Sequence, residues 1–481
     1  MALADLWPAL ATFAHLMAAL AVTIDAVFNK RHVPSIIGWV GLAWLAPIAG
    51  AALYLLFGIN RIHRAGVAMG LTHIWAKSAE QDGRPAALVA DTDIARSYPD
   101  LAGLVRLSGR ITRRALAAGN RVEPLFDGDE AYPAMLASID GAQCSVTLLS
   151  YIFDNDEVGQ LFLQSLQRAM KRGVQVRVLI DSVGAQYTRP NMVRQLRRSG
   201  INAAPFLPTR VPRLFRYANL RNHRKILVVD GRIGFTGGMN IRVGHWISHR
   251  PAYPVQCLHF RIEGPVVADL QRTFAIDWAF STKEQLHGAI WFPVLASNGP
   301  VAARGIPDGP DADLDNMPQI LHGALATAHR HVRIVTPYFI PDNVLLAALK
   351  VAALRGVRVD IVLPRKSNIP LVDWASRPQL MDLLEKGCRI FLTPPLFDHS
   401  KVFLVDNVWS LIGSTNWDTR SLRLNFEYNV ECYDECLANQ LNTLIEAKIA
   451  RSDRLTAAEL RASPLIVRLR NGLARLLSPY L

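Results

Sequence analysis

The residues best suited to chemistry come as two matched sets. In NHRKILVVDG, Asn222 to Gly231, His223 and Lys225 stand two apart at the mouth of an apolar run that Asp230 closes. Alternate residues of a strand share a face, so the imidazole and the ammonium are expected to project together while Ile226 and Val228 face a core. Alone, the stretch reads more simply as an edge strand with a solvated polar face. Its twin removes that reading. DHSKVFLVDN, Asp398 to Asn407, places His399, Lys401 and Asp406 at the same His-x-Lys-x-x-x-x-Asp spacing. After six more residues each copy reaches a Gly-x-x-Asn: GGMN ending at Asn240, and GSTN, with Ser414, ending at Asn416.

Brought together about a pseudo-two-fold axis, the sets supply two imidazoles, two ammoniums and two carboxamides. Tetrahedral phosphate oxygens want such donors, with lysine as a point charge. One neutral imidazole can attack phosphorus while a facing imidazolium protonates the leaving oxygen, the roles reversing in a second half-reaction. A covalent phosphohistidine thus splits one hard step into two. Two lysines supply the charge, so the pattern calls for no metal and no cofactor.

The elements that must position these sets are also duplicated. AQCSVTLLSYIFDND reads as a strand and its exit loop, EVGQLFLQSLQRAMKRG as a helix ended by Gly173, and VQVRVLIDSVG as a strand. The order returns in HVRIVTPYFIPDN, VLLAALKVAALRG and VRVDIVLPRKSN, with Tyr151 matching Tyr338 and Arg172-Gly173-Val174 matching Arg355-Gly356-Val357. Strand-helix-strand order in two long copies predicts two α/β domains rather than a solenoid. The expected domains span 121–295 and 316–450. The Pro-, Gly- and Asp-rich stretch at 296–315 is read as the linker between them.

Ahead of them, Trp7 to Phe28 is apolar except for His15 and Asp25, and Ser35 to Gly58 carries no charge. Each is long enough to cross a hydrocarbon core of roughly 30 Å. MALAD lacks the basic start of a signal peptide, so residues 1–60 are expected to form a two-helix transmembrane hairpin, with 61–120 a helical connector. Lys30 and Arg31 lie between the spans; Arg61, Arg64 and Lys77 follow them, a small excess that places the main domain in the cytoplasm.

Half of the 481 residues are hydrophobic, and 53 Lys and Arg against 40 Asp and Glu leave a net charge of +13. That balance suits an anionic partner, lipid surface or nucleic acid. Five scattered cysteines give no disulfide framework, and Cys432 and Cys436 read as structural thiols. At the C-terminal end, 451–481, apolar residues Leu465, Val467, Leu469, Leu473, Leu476 and Leu477 mix with Arg468, Arg470 and Arg475. This is a basic amphipathic helix, either lying on an anionic membrane or packed on the body. The basic, aromatic RVPRLFRYANLRNHRK before the first motif lines a headgroup entrance or is a solvated loop. His245, His249 and His259 read as structural, His245 being nearest the site.

The doubled motif with its following G-[GS]-x-N resembles the phospholipase D superfamily over roughly residues 121–450. Arg31, Pro34, Trp39, Trp44, Pro47, Tyr54 and Phe57-Gly58 resemble the membrane segment in front of bacterial cardiolipin synthases. The resemblance implies an α/β fold of two phospholipase D-type sandwich domains related by a pseudo-two-fold behind the membrane hairpin, in the inner membrane. It also implies phosphatidyl transfer between two phosphatidylglycerol molecules, giving cardiolipin and glycerol, with no nucleic acid partner. By it, His223 and His399 are nucleophile and general acid/base, with His223 the nucleophile. Lys225, Lys401, Asn240 and Asn416 hold phosphate oxygens; Ser414 adds a hydroxyl that Gly238 lacks. Asp230 and Asp406 belong to the catalytic motifs, though strand parity turns them away from the His-Lys face. Glu427 is the acid expected to orient the histidine of its own copy, His399, while Cys257 occupies the place of the first copy's acid, beside His223. The motif selects phosphorus and not the acceptor, so a phospholipase D using water, another phosphatidyltransferase, a nuclease or an inactive scaffold stay open at this level.

Overall fold

The repeated order of elements becomes a repeated order of strands. The computed structural model describes residues 3–30, 33–46, 48–58, 91–208, 220–310 and 313–478. Within the larger unit, 70–208 with 220–481, most strands join one 16-stranded sheet, and two short pairs stand apart from it. From one edge inward run Asn202–Phe206, Gln175–Asp181, Ser145–Ser150, Ile226–Val229, Ile233–Gly237, Leu258–Glu263 and Ala117–Phe126. From the other side run Arg389–Thr393, Arg358–Pro364, His331–Val335, Val402–Val405, Trp409–Gly413, Asn425–Tyr433 and Val301–Asp308, with Asp453–Leu455 added outside. The outer strands of each half pair in parallel and the inner ones antiparallel. The halves meet where Ala117–Phe126 pairs with Val301–Asp308, Ala117 opposite Ala303.

That junction corrects the expected linker. Val301–Asp308 is a strand buried at all eight positions, the counterpart of Ala117–Phe126, so each copy begins with a strand placed before its expected boundary. The residues around it have linker composition. Its interior is decided by pairing on both sides and by the fully buried ion pair of Arg304 with Glu431 at 3.2 Å. The C-terminal part of the expected connector likewise holds helix Ala102–Thr112 and the start of the first strand; 61–90 lies outside the described residues.

The repeated Arg-Gly-Val is a helix stop. Helix Glu157–Lys171 starts at Asp156, whose carboxylate accepts the Gly159 N–H, and carries Arg168 and Lys171 in its last turn. Gly173 then takes a φ of 89°, and the Val174 N–H reaches back to the Ala169 carbonyl. Helix Asn343–Leu354 repeats this with Asp342 as cap, Gly356 at φ 91° and the Val357 N–H on Ala352. One face of each half builds a separate core, Phe162, Leu166, Val178 and Phe235 in the first, Leu345, Leu349, Ile361 and Phe403 in the second.

In the N-terminal unit, Trp7–Asn29 lies in a helix long and apolar enough to cross a membrane, the one such helix among the described residues. The second expected span is broken: Val33–Leu45 and Ala49–Leu53 are separate helices, followed by a π turn, Tyr54–Gly58. The sequence has Pro47 in the gap, and a proline disfavours helical backbone in the residue before it. The hairpin is tied by polar contacts inside it: Tyr54 donates to Asp25 at 2.7 Å and Trp44 to Thr23 at 3.0 Å.

Candidate active site

Each motif histidine is seated by the opposite half. The two-residue strand Arg221–Asn222 pairs with the start of Asn425–Tyr433, and the His223 N–H donates to the Phe426 carbonyl at 2.9 Å. Symmetrically, Phe397–Asp398 pairs with Val255–Gln256, and the His399 N–H donates to Gln256 at 2.7 Å. Residues 223–225 are therefore not strand; they form the crossing segment just before Ile226–Val229. Both rings then meet edge to face, centroids 6.4 Å apart, in a cavity of about 320 Å³.

Because the segments cross, so do the acids. Glu427 serves His223, not the histidine of its own copy: His223 Nδ1–H donates to the carboxylate at 3.0 Å. Ser414 donates to the same carboxylate at 2.5 Å and Asn425 at 3.1 Å. Ser414 thus positions an acid and does not line the cavity. Cys257 lies next to His399, its sulfur 3.4 Å from the His399 carbonyl, and His399 Nδ1–H donates to the Gly238 carbonyl at 2.9 Å. The Ser–Glu pair behind one histidine is replaced by Gly238 and Cys257 behind the other. A Cβ on Gly238 would stand 2.7 Å from the His399 carbonyl oxygen and 2.8 Å from the Cys257 sulfur, so this approach leaves room only for glycine. So the half lacking a supporting acid is the second, and the sequence expectation that paired Glu427 with His399 is reversed.

The electrostatics follow from this. Burial, opposed by Glu427 and aided by Lys225 and Lys401, brings the His223 pKa down to about 4. His399, buried with Lys401, His245, Lys225 and His223 around it and no carboxylate of the described residues against its ring, is held well below the usual imidazole range. Glu427 keeps its charge: burial alone would raise its pKa, but His223, Lys225 and Ser414 outweigh that. Burial also lowers Lys225 to about 7 and Lys401 to about 8. Both ammoniums turn onto their own motif's backbone, Lys225 onto the His223 carbonyl at 2.5 Å and Lys401 onto that of His399 at 2.8 Å. Lys401 Nζ also stands 3.1 Å from His399 Nε2.

Asn240 and Asn416 line the cavity with the histidines. Asn240 accepts the Ile152 N–H at 3.3 Å, and Asn416 donates to Ser421 at 3.1 Å with its Oδ1 buried and unpartnered. Asp230 and Asp406 are elsewhere. Each sits at the far end of its motif strand at φ 52°, and its carboxylate gathers three successive backbone N–H groups: Gln143, Cys144 and Ser145 for Asp230; His329, Arg330 and His331 for Asp406. These are turn locks outside the cavity, so their grouping with the catalytic residues is corrected. A strand that begins just after the motif's lysine carries the aspartate past its opposite end.

Several cavity residues were not singled out for chemistry in the sequence. Tyr151 and Tyr338, matched by the repeat, flank the two rings at 5.1 and 6.2 Å from His223 and His399. Arg221 and Arg420 share one wall with Asp418. Arg224, between His223 and Lys225, binds Asp277 through two contacts at 2.7 and 2.8 Å and donates to the Glu427 backbone carbonyl at 2.9 Å. Its signal was the third basic residue in the motif. His245 also lines the cavity, 6.3 Å from His399, accepting the Asn240 N–H through Nε2 and donating through Nδ1 to Val255. Burial lowers its pKa to about 3, so it is a neutral prop for Asn240. Buried His259, its Nδ1 unpartnered, and half-exposed His249 are not lining residues. Of the basic aromatic stretch, 210–219 lies outside the described residues, while Arg221 lines the cavity.

A family described as the PLD-like domain of cardiolipin synthase matches residues 135–252 and 321–449, one match on each half. The chain belongs to this family. A cardiolipin synthase of Geobacillus kaustophilus is 31% identical over 483 residues, covering 98% of this chain and 94% of the relative. One from Staphylococcus aureus strain Mu50 is 30% identical over 478 residues, covering 94% and 92%. Among solved structures, phosphatidylserine synthase of Haemophilus influenzae superposes with a TM-score of 0.63 at 16% identity, covering 79% of this chain and all of that one, which shows the shared fold. The chain is accordingly a phosphatidyltransferase of the phospholipase D superfamily, with two PLD-like domains meeting at one site.

Proposed function

We propose that the cavity transfers a phosphatidyl group from one phosphatidylglycerol to another, giving cardiolipin and glycerol. The observation that carries this is the pair of histidines, one from each copy, facing each other across a single phosphate-sized gap in a chain of this family. His223 Nε2 attacks phosphorus, because Glu427 on Nδ1–H stabilises the cation that forms on the ring. His399 protonates the departing glycerol oxygen. The phosphate anion entering between the rings raises the His399 pKa enough for it to carry that proton. In the second half-reaction, His399 takes the proton of a glycerol hydroxyl on the second phosphatidylglycerol. That oxygen attacks phosphorus and the N–P bond breaks. Lys225, Lys401, Asn240 and Asn416 hold the non-bridging oxygens, the ammoniums turning inward from their backbone carbonyls. The acceptor's own phosphate is a second anion, and Arg221 and Arg420 on the cavity wall are its counter-charges. The N-terminal helix holding Trp7–Asn29 anchors the enzyme in the membrane, and the catalytic domains work in the cytoplasm.

Product analysis with labelled phosphatidylglycerol tests the reading, using the unaltered chain, His223→Ala and His399→Ala. Cardiolipin with equimolar glycerol is expected from the first and neither product from the variants. Phosphatidic acid as the main product, or full activity in either variant, sinks it.

A further inference from the structure

The C-terminal helix Leu465–Arg475 carries an apolar stripe that the described residues of the body leave uncovered. Leu465, Ile466, Leu469, Leu473, Leu476 and Leu477 are between 46% and 79% exposed. At 100° per residue these six fall within an arc of about 120°. Arg470 borders the arc on one side and Arg468 and Arg475 on the other, all exposed. The opposite side of the helix is anchored. Asn471 and Ala474 are buried, Ala474 packs with Ile340, Val372 and Ala375, and the Arg470 guanidinium stacks 4.4 Å over Trp374. The sequence offered two alternatives, a packed helix or a membrane-lying one; the fold makes the helix packed on one side and bare on the other.

The support under it matters. Helix Pro370–Glu385 is the main contact of the C-terminal helix, and its Val372, with Ile369 just before it and Tyr338, lines the candidate active-site cavity. We propose that the stripe is an interfacial anchor that lies in the surface of an anionic bilayer and holds the cavity wall at the lipid. This rests on the lipid-transfer reading above and adds to it the surface from which substrate enters. The occupant follows from the chemistry of the rim. From Ala462 to the end there are three arginines and no Asp or Glu, so a phosphate-bearing surface neutralises the rim while acyl chains receive the leucines. A second copy of the same helix would bring its arginines against these.

The test uses the full chain reconstituted in vesicles of phosphatidylglycerol and phosphatidylcholine, with exposed Cys144 and Cys436 changed to Ser. A thiol-attached fluorophore is placed at Leu473→Cys or, as control, at exposed Glu459→Cys. Quenching by nitroxide-bearing lipid is expected at position 473 and not at 459. No quenching at 473, or equal quenching at both, overturns the proposal; so does shielding of 473 that follows protein concentration and not nitroxide lipid, which is the signature of a second copy. This arm reads insertion and stands whatever reaction the cavity performs. In the activity arm, the double variant Leu469→Glu with Leu473→Glu, checked for an unchanged thermal midpoint, is expected to raise the KM for bilayer phosphatidylglycerol roughly fivefold or more. Its rate on short-chain monomeric phosphatidylglycerol stays unchanged. Unchanged kinetics on bilayers, or equal loss on both substrates, overturns it.

Discussion

The crossing of the acids makes the two equivalent positions unequal, and replacing each in turn measures that inequality. Glu427→Gln keeps the shape and leaves an oxygen to accept His223 Nδ1–H, while Ser414 and Asn425 remain to fix the amide. What is lost is the charge. A hydrogen bond to a charged group is worth about 1.5–3 kcal/mol against about 0.5–1.5 kcal/mol for a neutral one, so the bond alone loses about 1–1.5 kcal/mol. That difference is itself the charge–charge attraction, which at an effective dielectric of 20 is at most about 4 kcal/mol near 4 Å and so bounds the loss from above. The expected loss is about 1–3 kcal/mol of transition-state stabilisation, roughly 5- to 150-fold in kcat. Cys257→Ala, the matching change behind His399, removes a sulfur whose contacts are two backbone carbonyls at 3.4 and 3.6 Å and no ring nitrogen, so kcat should stay within about threefold. Initial rates of cardiolipin formation, with acid-quenched single turnovers to follow the labelled phosphatidyl-enzyme, separate the steps. Glu427→Gln should slow the appearance of that intermediate. Equal losses at 427 and 257, or a larger one at 257, would refute the assignment of the acid to His223.

Three further outcomes follow from the geometry. Lys225 and Lys401 ionise near 7 and 8 in the empty site, and a bound phosphate favours their charged forms. Substrate binding should therefore take up protons, with KM constant below about pH 7 and rising as pH climbs past it; a pH profile of kcat/KM that rises across that window instead would contradict this. Asp230→Ala removes the acceptor of three backbone N–H groups at a left-handed position, so the thermal midpoint should fall, by about 2–4 kcal/mol of stability, while kcat per folded molecule is kept. Arg420→Gln should raise the KM for the accepting phosphatidylglycerol roughly tenfold and leave the first half-reaction, read by phosphatidyl-enzyme formation, unchanged.

Much of the site was legible because its signals are local. The His-x-Lys spacing, the Asp at the end of the strand and the Gly-x-x-Asn turn all lie within one hairpin, and the duplication printed them twice. The Arg-Gly-Val repeat is local too, a helix stop that needs a left-handed glycine wherever it occurs. Most of the misreadings concern contacts between distant parts. Composition marked 296–315 as a linker, since averaging over its prolines and glycines hid eight residues whose strand exists only because Ala117–Phe126 and Asn425–Tyr433 close on both its sides. One misreading was itself local: Pro47 lies inside an apolar run long enough to span, and the break beside it outweighed the hydropathy.

By itself, then, the sequence determined that two copies of one phosphate-handling hairpin exist, what groups they carry, and that an apolar N-terminal helix and a basic amphipathic tail accompany them. Tertiary structure decided which acid meets which histidine. His223 and Glu427 are 204 positions apart, and their contact depends on two short strands each crossing to pair with the other half. The spacing within a motif is set by the covalent chain and its strand repeat, so it can be read along the line. The partner across the pseudo-two-fold is set by how two cores dock, and nothing in either motif encodes that.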